Sequence, residues 1–157
     1  MKLKVYIETS VISYLTARPS RDLVTAAHQQ LTSDWWEYRR ADFDFYVSQL
    51  VVREASAGDE DAAKRRLDVI EQIPLLELNE EALTLARSLV EDGPLPAKAS
   101  EDALHIAVAT VHGIDFLLTW NCKHIANAEM RNLIIEVCRS HGYEPPITCT
   151  PEELLGE

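Results

Sequence analysis

Five short apolar runs, "LKVYI", "FDFYV", "LLEL", "DFLLT" and "PITC", each bounded by polar or turn residues, constrain this chain more than any other feature. Runs of that length read as β-strands. Between them the apolar residues fall at helical spacing: Leu23, Val24, Ala27, Leu31, Trp35 and Tyr38, then Ala63, Leu67, Ile70 and Ile73. The same period returns in Ala82, Leu85, Ala86, Leu89 and Val90, and in Met130, Leu133, Ile134, Val137 and Cys138. "EDALHIAVATVHGI" is apolar on most sides, as in a helix buried within a domain, and Gly113 is placed to end it. No two strands are joined by a tight hairpin turn. Strands alternating with helices in this way predict an α/β fold, with a parallel sheet covered on both faces.

A chain of 157 residues suffices for one substantial core, so a single domain spanning residues 1–157 is expected. No apolar run approaches the roughly 20 residues needed to span a bilayer. "MKLKVYIE" holds too short an apolar stretch for a signal peptide, and Cys122, Cys138 and Cys149 match neither a zinc ribbon nor a disulfide framework. Both point to a reducing, cytoplasmic setting without membrane insertion. The net charge of −11 argues against a protein that coats nucleic acid through a basic field, but not against a nuclease that uses a cation or a basic partner.

In open parallel sheets, ligands gather at the carboxyl ends of the strands, which singles out polar residues directly after each run. Glu8 follows the first strand, with Thr9 and Ser10 behind it as either helix-capping or site hydroxyls. Glu54 falls on a short helix opened by Ser48, on the side of Leu50 and Val51. A carboxylate there needs a hydrogen bond, a metal, or a salt bridge to a residue such as Arg53 or Lys64, unless it is simply exposed at the helix end. Glu101 and Asp102 follow Ser100, a candidate N-cap, in the first turn of a helix, where the macrodipole favours acids with or without a function. Glu101 lies nearer Leu104 and Val108, Asp102 nearer Ile106 and Ala109, so the period does not choose between them. Asn121, after the fourth strand, offers an amide oxygen to a hard cation or serves as an ordinary turn residue.

With "VYIETSVISYL", "SQLVVREAS" and "EDALHIAVATVHGIDFLLTWNCKHIANA" in this order and spacing, the chain resembles the PIN-domain family, and within it the VapC-like toxin ribonucleases of type II toxin–antitoxin modules. The likeness spans nearly the whole chain. It implies a PIN-like three-layer fold, a central parallel five-stranded sheet flanked by helices, whose strand-end acids gather around Mg²⁺ or Mn²⁺. Glu8 matches the family's first acid, Glu54 the second and Asp102 the third, the family's acid standing directly before "ALHIA". Thr9 and Ser10 match hydroxyls that accompany the first acid, and Asn121 falls where many members carry a fourth. Glu8 stands for the usual Asp, one methylene or about 1.5 Å longer. Asn121 removes a charge and so favours one ion over two.

The resemblance implies a metal-dependent endoribonuclease with Glu8, Glu54 and Asp102 as metal ligands. Asn121 and Thr119 would assist the geometry, and Thr9 and Ser10 would orient the first acid or the metal's waters. It also implies an RNA substrate, with tRNA first to mind, a neutralising antitoxin and often a homodimer. Trp120 could stack on an unpaired base or join the core. Lys98 and Arg53 could reach phosphate or stay solvated, and His105 and His124 read as packed or hydrogen-bonded rather than as general acids. A catalytically inactive PIN-fold binding or regulatory module is the alternative that Glu8 and Asn121 motivate. A phosphoacceptor receiver domain fits poorly, because no Asp follows the third strand and no Lys stands near the last.

Overall fold

The computed structural model describes residues 1–156. Five strands form one parallel sheet: β1 (Leu3–Ile7), β2 (Phe43–Ser48), β3 (Leu75–Leu76), β4 (Phe116–Leu118) and β5 (Ile147–Cys149), in the order β3-β2-β1-β4-β5. Seven helices connect them: α1 (Thr9–Thr16), α2 (Leu23–Arg39), α3 (Gln49–Ala55), α4 (Glu60–Ile70), α5 (Glu80–Glu91), α6 (Ser100–Val111) and α7 (Arg131–Ser140). α1 packs against α2, α3 and α4, whereas α5 packs against α6 and α7. This division follows from chirality. The first two crossovers move outward from β1 to β3 and the next two move the other way, so right-handed connections place the two helix groups on opposite faces. The predicted three-layer α/β architecture is therefore present.

Helices on both faces bury the central strand from both sides, and Val5, Tyr6 and Ile7 have no solvent exposure. Trp35 of α2 stacks on Phe45 of β2, with ring centroids 5.2 Å apart. On the opposite layer, α6 buries seven consecutive residues apart from Leu104, including Ala103 and His105 through Thr110. It ends as expected at a left-handed glycine: Gly113 has φ +68°, and Ile114 N–H reaches back to the Ala109 carbonyl at 3.1 Å.

Three local expectations are corrected. The third strand pairs only at Leu75 and Leu76 rather than along all of "LLEL", because the Glu77 carbonyl accepts from His112 Nε2 at 2.8 Å and Asn79 already caps α5. Leu23, Val24 and Tyr38 have the helical period of α2 but lie largely exposed, its buried positions being Thr32 and Trp35. Ser100 is the first residue of α6 and not its cap. A 3₁₀ turn, Ala97–Ala99, has already turned the chain, and the Ser100 hydroxyl donates back to the Ala97 carbonyl at 2.6 Å.

Candidate metal centre at the sheet switch point

The strand order reverses direction between β1 and β4, and the crevice beyond their carboxyl ends is where parallel sheets collect ligands. Glu8 enters that crevice straight from β1, its N–H still bonded to the Leu118 carbonyl of β4 at 3.0 Å. Glu8 occupies the N-cap position of α1 yet caps nothing with its side chain. Instead its Oε1 accepts from the Ser10 hydroxyl and from Thr119 Oγ1, the latter at 2.6 Å. Only 6% of Glu8 is exposed, and among the described residues no cation pairs with it.

Glu54 arrives from α3. Its Oε1 accepts from Thr9 Oγ1 at 2.5 Å and from His105 Nε2 at 2.8 Å. Neither Arg53 nor Lys64 is its partner, since Arg53 pairs with Glu101 at 3.0 Å. Burial acts to raise the Glu54 pKa, but the hydrogen bonds it accepts from His105 and the Thr9 hydroxyl act the other way, and the carboxyl is held below its ordinary value.

One carboxylate oxygen each of Glu8 and Glu54 and a ring nitrogen of His105 all lie within 4.8 Å of one another. Two ionised carboxylates at such a distance repel by roughly 3–4 kcal/mol at the effective dielectric near a protein surface. Hydroxyl donors relieve part of this, and a divalent cation would relieve far more. Each carboxylate receives its hydrogen bonds on Oε1, which leaves Oε2 available to a hard ion. The donor set therefore suits a cation that prefers oxygen.

Asp102 stands apart from that trio, at the start of α6. Its Oδ1 accepts from Asn121 Nδ2 at 3.0 Å, and its Oδ2 meets His124 Nδ1 at 3.0 Å. The tie with Glu101 resolves spatially, for Glu101 is exposed on Arg53 while Asp102 faces the segment after β4. Asp102 is still linked to the first acid by a continuous chain: Asn121 N–H donates to Thr119 Oγ1 at 2.9 Å, and Thr119 donates to Glu8. Ser10 extends the same network, accepting from Trp120 N–H at 2.8 Å. The Trp120 indole is engaged within the fold, bonded to Thr32 Oγ1 at 2.8 Å and stacked on His28 at 4.1 Å.

Two further residues, Tyr6 and His105, have roles that the spacing of the acids does not disclose. His105 is wholly buried, and its Nδ1 lies 2.7 Å from the Tyr6 hydroxyl, which lies 2.8 Å from Ser48 Oγ. The available signal was a histidine among Ala, Leu and Ile in "DALHIA", because a ring so placed needs partners for both nitrogens.

An open α/β sheet with acids drawn to its switch point is the class of domain that the fold and the site define together. The family description "PIN domain" matches residues 5–126, and the chain belongs to that family. It shares its fold with a chain in the crystal structure of VapBC2 from Rickettsia felis bound to a DNA fragment from their promoter. That match has a TM-score of 0.60 at 13% identity and covers 94% of this chain and 98% of the other. At so low an identity the likeness establishes the fold alone. Comparison with curated proteins gave no match. No helix among the described residues is long and apolar enough to cross a membrane.

Proposed function

We propose that this protein is a metal-dependent endoribonuclease, the toxin component of a toxin–antitoxin pair. The observation that carries the reading is the approach of two carboxylates, Glu8 and Glu54, at the sheet switch point with hydroxyls and an imidazole around them and, among the described residues, no Lys or Arg paired with either. Glu8, Glu54 and Asp102 would hold Mg²⁺ or Mn²⁺, directly or through water. When bound, the cation would polarise a scissile phosphate and lower the pKa of an attacking water.

The chain's own groups do the positioning. Thr119 and Ser10 orient Glu8, Thr9 orients Glu54, and Asn121 and His124 hold both oxygens of Asp102. The neutral Asn121 thus supplies an N–H to Asp102 where a fourth acid would repel it. The substrate would be RNA, with tRNA the first class to screen. An antitoxin is proposed by analogy with the VapBC2 complex that shares the fold. With a net charge of −11, such a partner would engage the acidic crevice with Arg or Lys. A homodimer and a cytoplasmic location complete the proposal.

The test is cleavage of single-stranded RNA and tRNA by purified protein in Mg²⁺ or Mn²⁺. Activity abolished by EDTA and reduced at least 100-fold by Asp102→Asn supports the enzyme, that factor being the order of loss expected when catalysis runs through a bound ion. The pairing of both Asp102 oxygens with Asn121 and His124, outside the Glu8, Glu54 and His105 group, favours a second reading as a binding module. RNA left intact by a chain that still binds RNA or an antitoxin would establish that reading instead.

A further inference from the structure

We infer that His105 is a positioning residue for Glu54, held in turn by Tyr6 and Ser48, and that this buried relay sets how well the site binds its cation. The inference rests on the reading of Glu54 as a metal ligand.

Glu54 has a long side chain at the end of a seven-residue helix, and nothing in α3 itself fixes its carboxylate. Two donors from outside the helix do so. Thr9 of α1 and His105 of α6 both reach Oε1, at 2.5 and 2.8 Å, so two donors fix one oxygen of the carboxylate and neither engages Oε2. A carboxylate oxygen brings no proton to such a contact, so His105 Nε2 must carry it. Nδ1 can then accept from the Tyr6 hydroxyl at 2.7 Å, and the Tyr6 oxygen accepts from Ser48 at 2.8 Å.

Every member of the relay is placed by a different element. Ser48 ends β2, Tyr6 lies in β1 beside it, His105 is one turn into α6, and Glu54 lies in the last turn of α3. Ser48 illustrates the commitment: it stands at the N-cap of α3 and makes no side-chain cap bond, its hydroxyl being turned to Tyr6. Two other roles for His105 are disfavoured by the same geometry. Its protonated Nε2 points at Glu54 and so is not offered to an ion, and its complete burial keeps it from substrate. A histidine that merely filled the core could have satisfied Nε2 on any backbone carbonyl.

The experiment measures Mn²⁺ affinity of the full chain by titration calorimetry, with folding checked by circular dichroism, for wild type, His105→Gln and His105→Leu. The Gln amide can donate from the place of Nε2, whereas Leu fills the volume and donates nothing. Loss of a hydrogen bond behind a metal ligand weakens binding by about 10–100-fold, the fall expected for His105→Leu, with His105→Gln close to wild type. Pulsed EPR of bound Mn²⁺ should show no coordinated nitrogen in wild type. A folded His105→Leu that binds Mn²⁺ as wild type does, equal weakening by both substitutions, or a coordinated imidazole signal each overturns the inference while leaving the metal site standing. Should His105→Leu not fold, Tyr6→Phe replaces it: it keeps the ring and removes the hydroxyl that orients His105. Weaker binding then supports the relay, and unchanged binding overturns it. Wild-type protein that binds no Mn²⁺ removes the metal reading itself, and this inference with it.

Discussion

At position 8 a nearly buried carboxylate faces a second one, and hydroxyl groups rather than cations hold it in place. That arrangement leaves electrostatic strain that a bound cation would remove, so cation binding and folding stability should be linked. At a Mn²⁺ concentration 100 times the dissociation constant the linkage amounts to about 2.7 kcal/mol. For a chain of this size it would raise the melting temperature by roughly 5–10 °C. Glu8→Gln should fold, melt no lower than wild type without metal, and lose more than half of the Mn²⁺-dependent rise, read by a thermal scan with and without the ion. Thr119→Val probes the same carboxylate from the other side. It preserves shape but removes the donor to Glu8 Oε1 and the acceptor of Asn121 N–H, a loss of about 1–3 kcal/mol in urea unfolding. The place of these acids, directly after apolar runs, was legible in the sequence because strand ends are a local pattern. Their partners were not, since Glu54 meets a histidine 51 positions away and Glu8 a threonine 111 away.

Among the elements, the helices differ in how they begin. α2, α4 and α5 are capped by Asp22, Asp59 and Asn79, whose side chains accept from Thr25, Ala62 and Ala82 N–H. α1 and α3 begin at Glu8 and Ser48, which are turned to other partners, and each forgoes a contribution that typically amounts to about 1 kcal/mol. The most extensive contact between helices is that of α5 with α6, and Leu89 of α5 is wholly buried. Leu89→Ala should cost about 2–5 kcal/mol. Just beyond α5, a Cβ added at Gly93 would stand 2.5 Å from the Leu89 carbonyl oxygen, a backbone atom with little freedom to retreat. Gly93→Ala should therefore destabilise by about 1–3 kcal/mol. Gly113→Ala meets open space and should lose only about 1 kcal/mol through its positive φ, as urea midpoints would show. The helical period located these elements well; it misassigned Leu23, Val24 and Tyr38 to a buried face because a period does not say how far a helix runs past its support.

At the scale of the whole molecule, the three thiols report how the layers close. Cys122 lies exposed beside Asn121, whereas Cys138 of α7 and Cys149 of β5 are buried. Burial raises the Cys138 thiol pKa and pushes that of Cys149 up to about 12, so both lack reactive thiolate at neutral pH. Iodoacetamide should add one label to the native protein and three in urea, counted by intact mass. Sheet order belongs to this scale too. β1 lies between β2 and β4, and that order sets Glu8 beside Thr119. Alternating strand and helix signals, the absence of hairpin turns and the resemblance of three segments to the PIN family determined the α/β layers and the candidate acids from sequence alone, because those signals are local or carried by short motifs. Which acids meet, that Asp102 turns to Asn121 and His124, and that a buried Tyr6–His105 pair stands behind Glu54 were decided only in three dimensions. Hydrogen bonds between residues far apart in the chain depend on sheet order and side-chain direction, and neither is written in any local stretch.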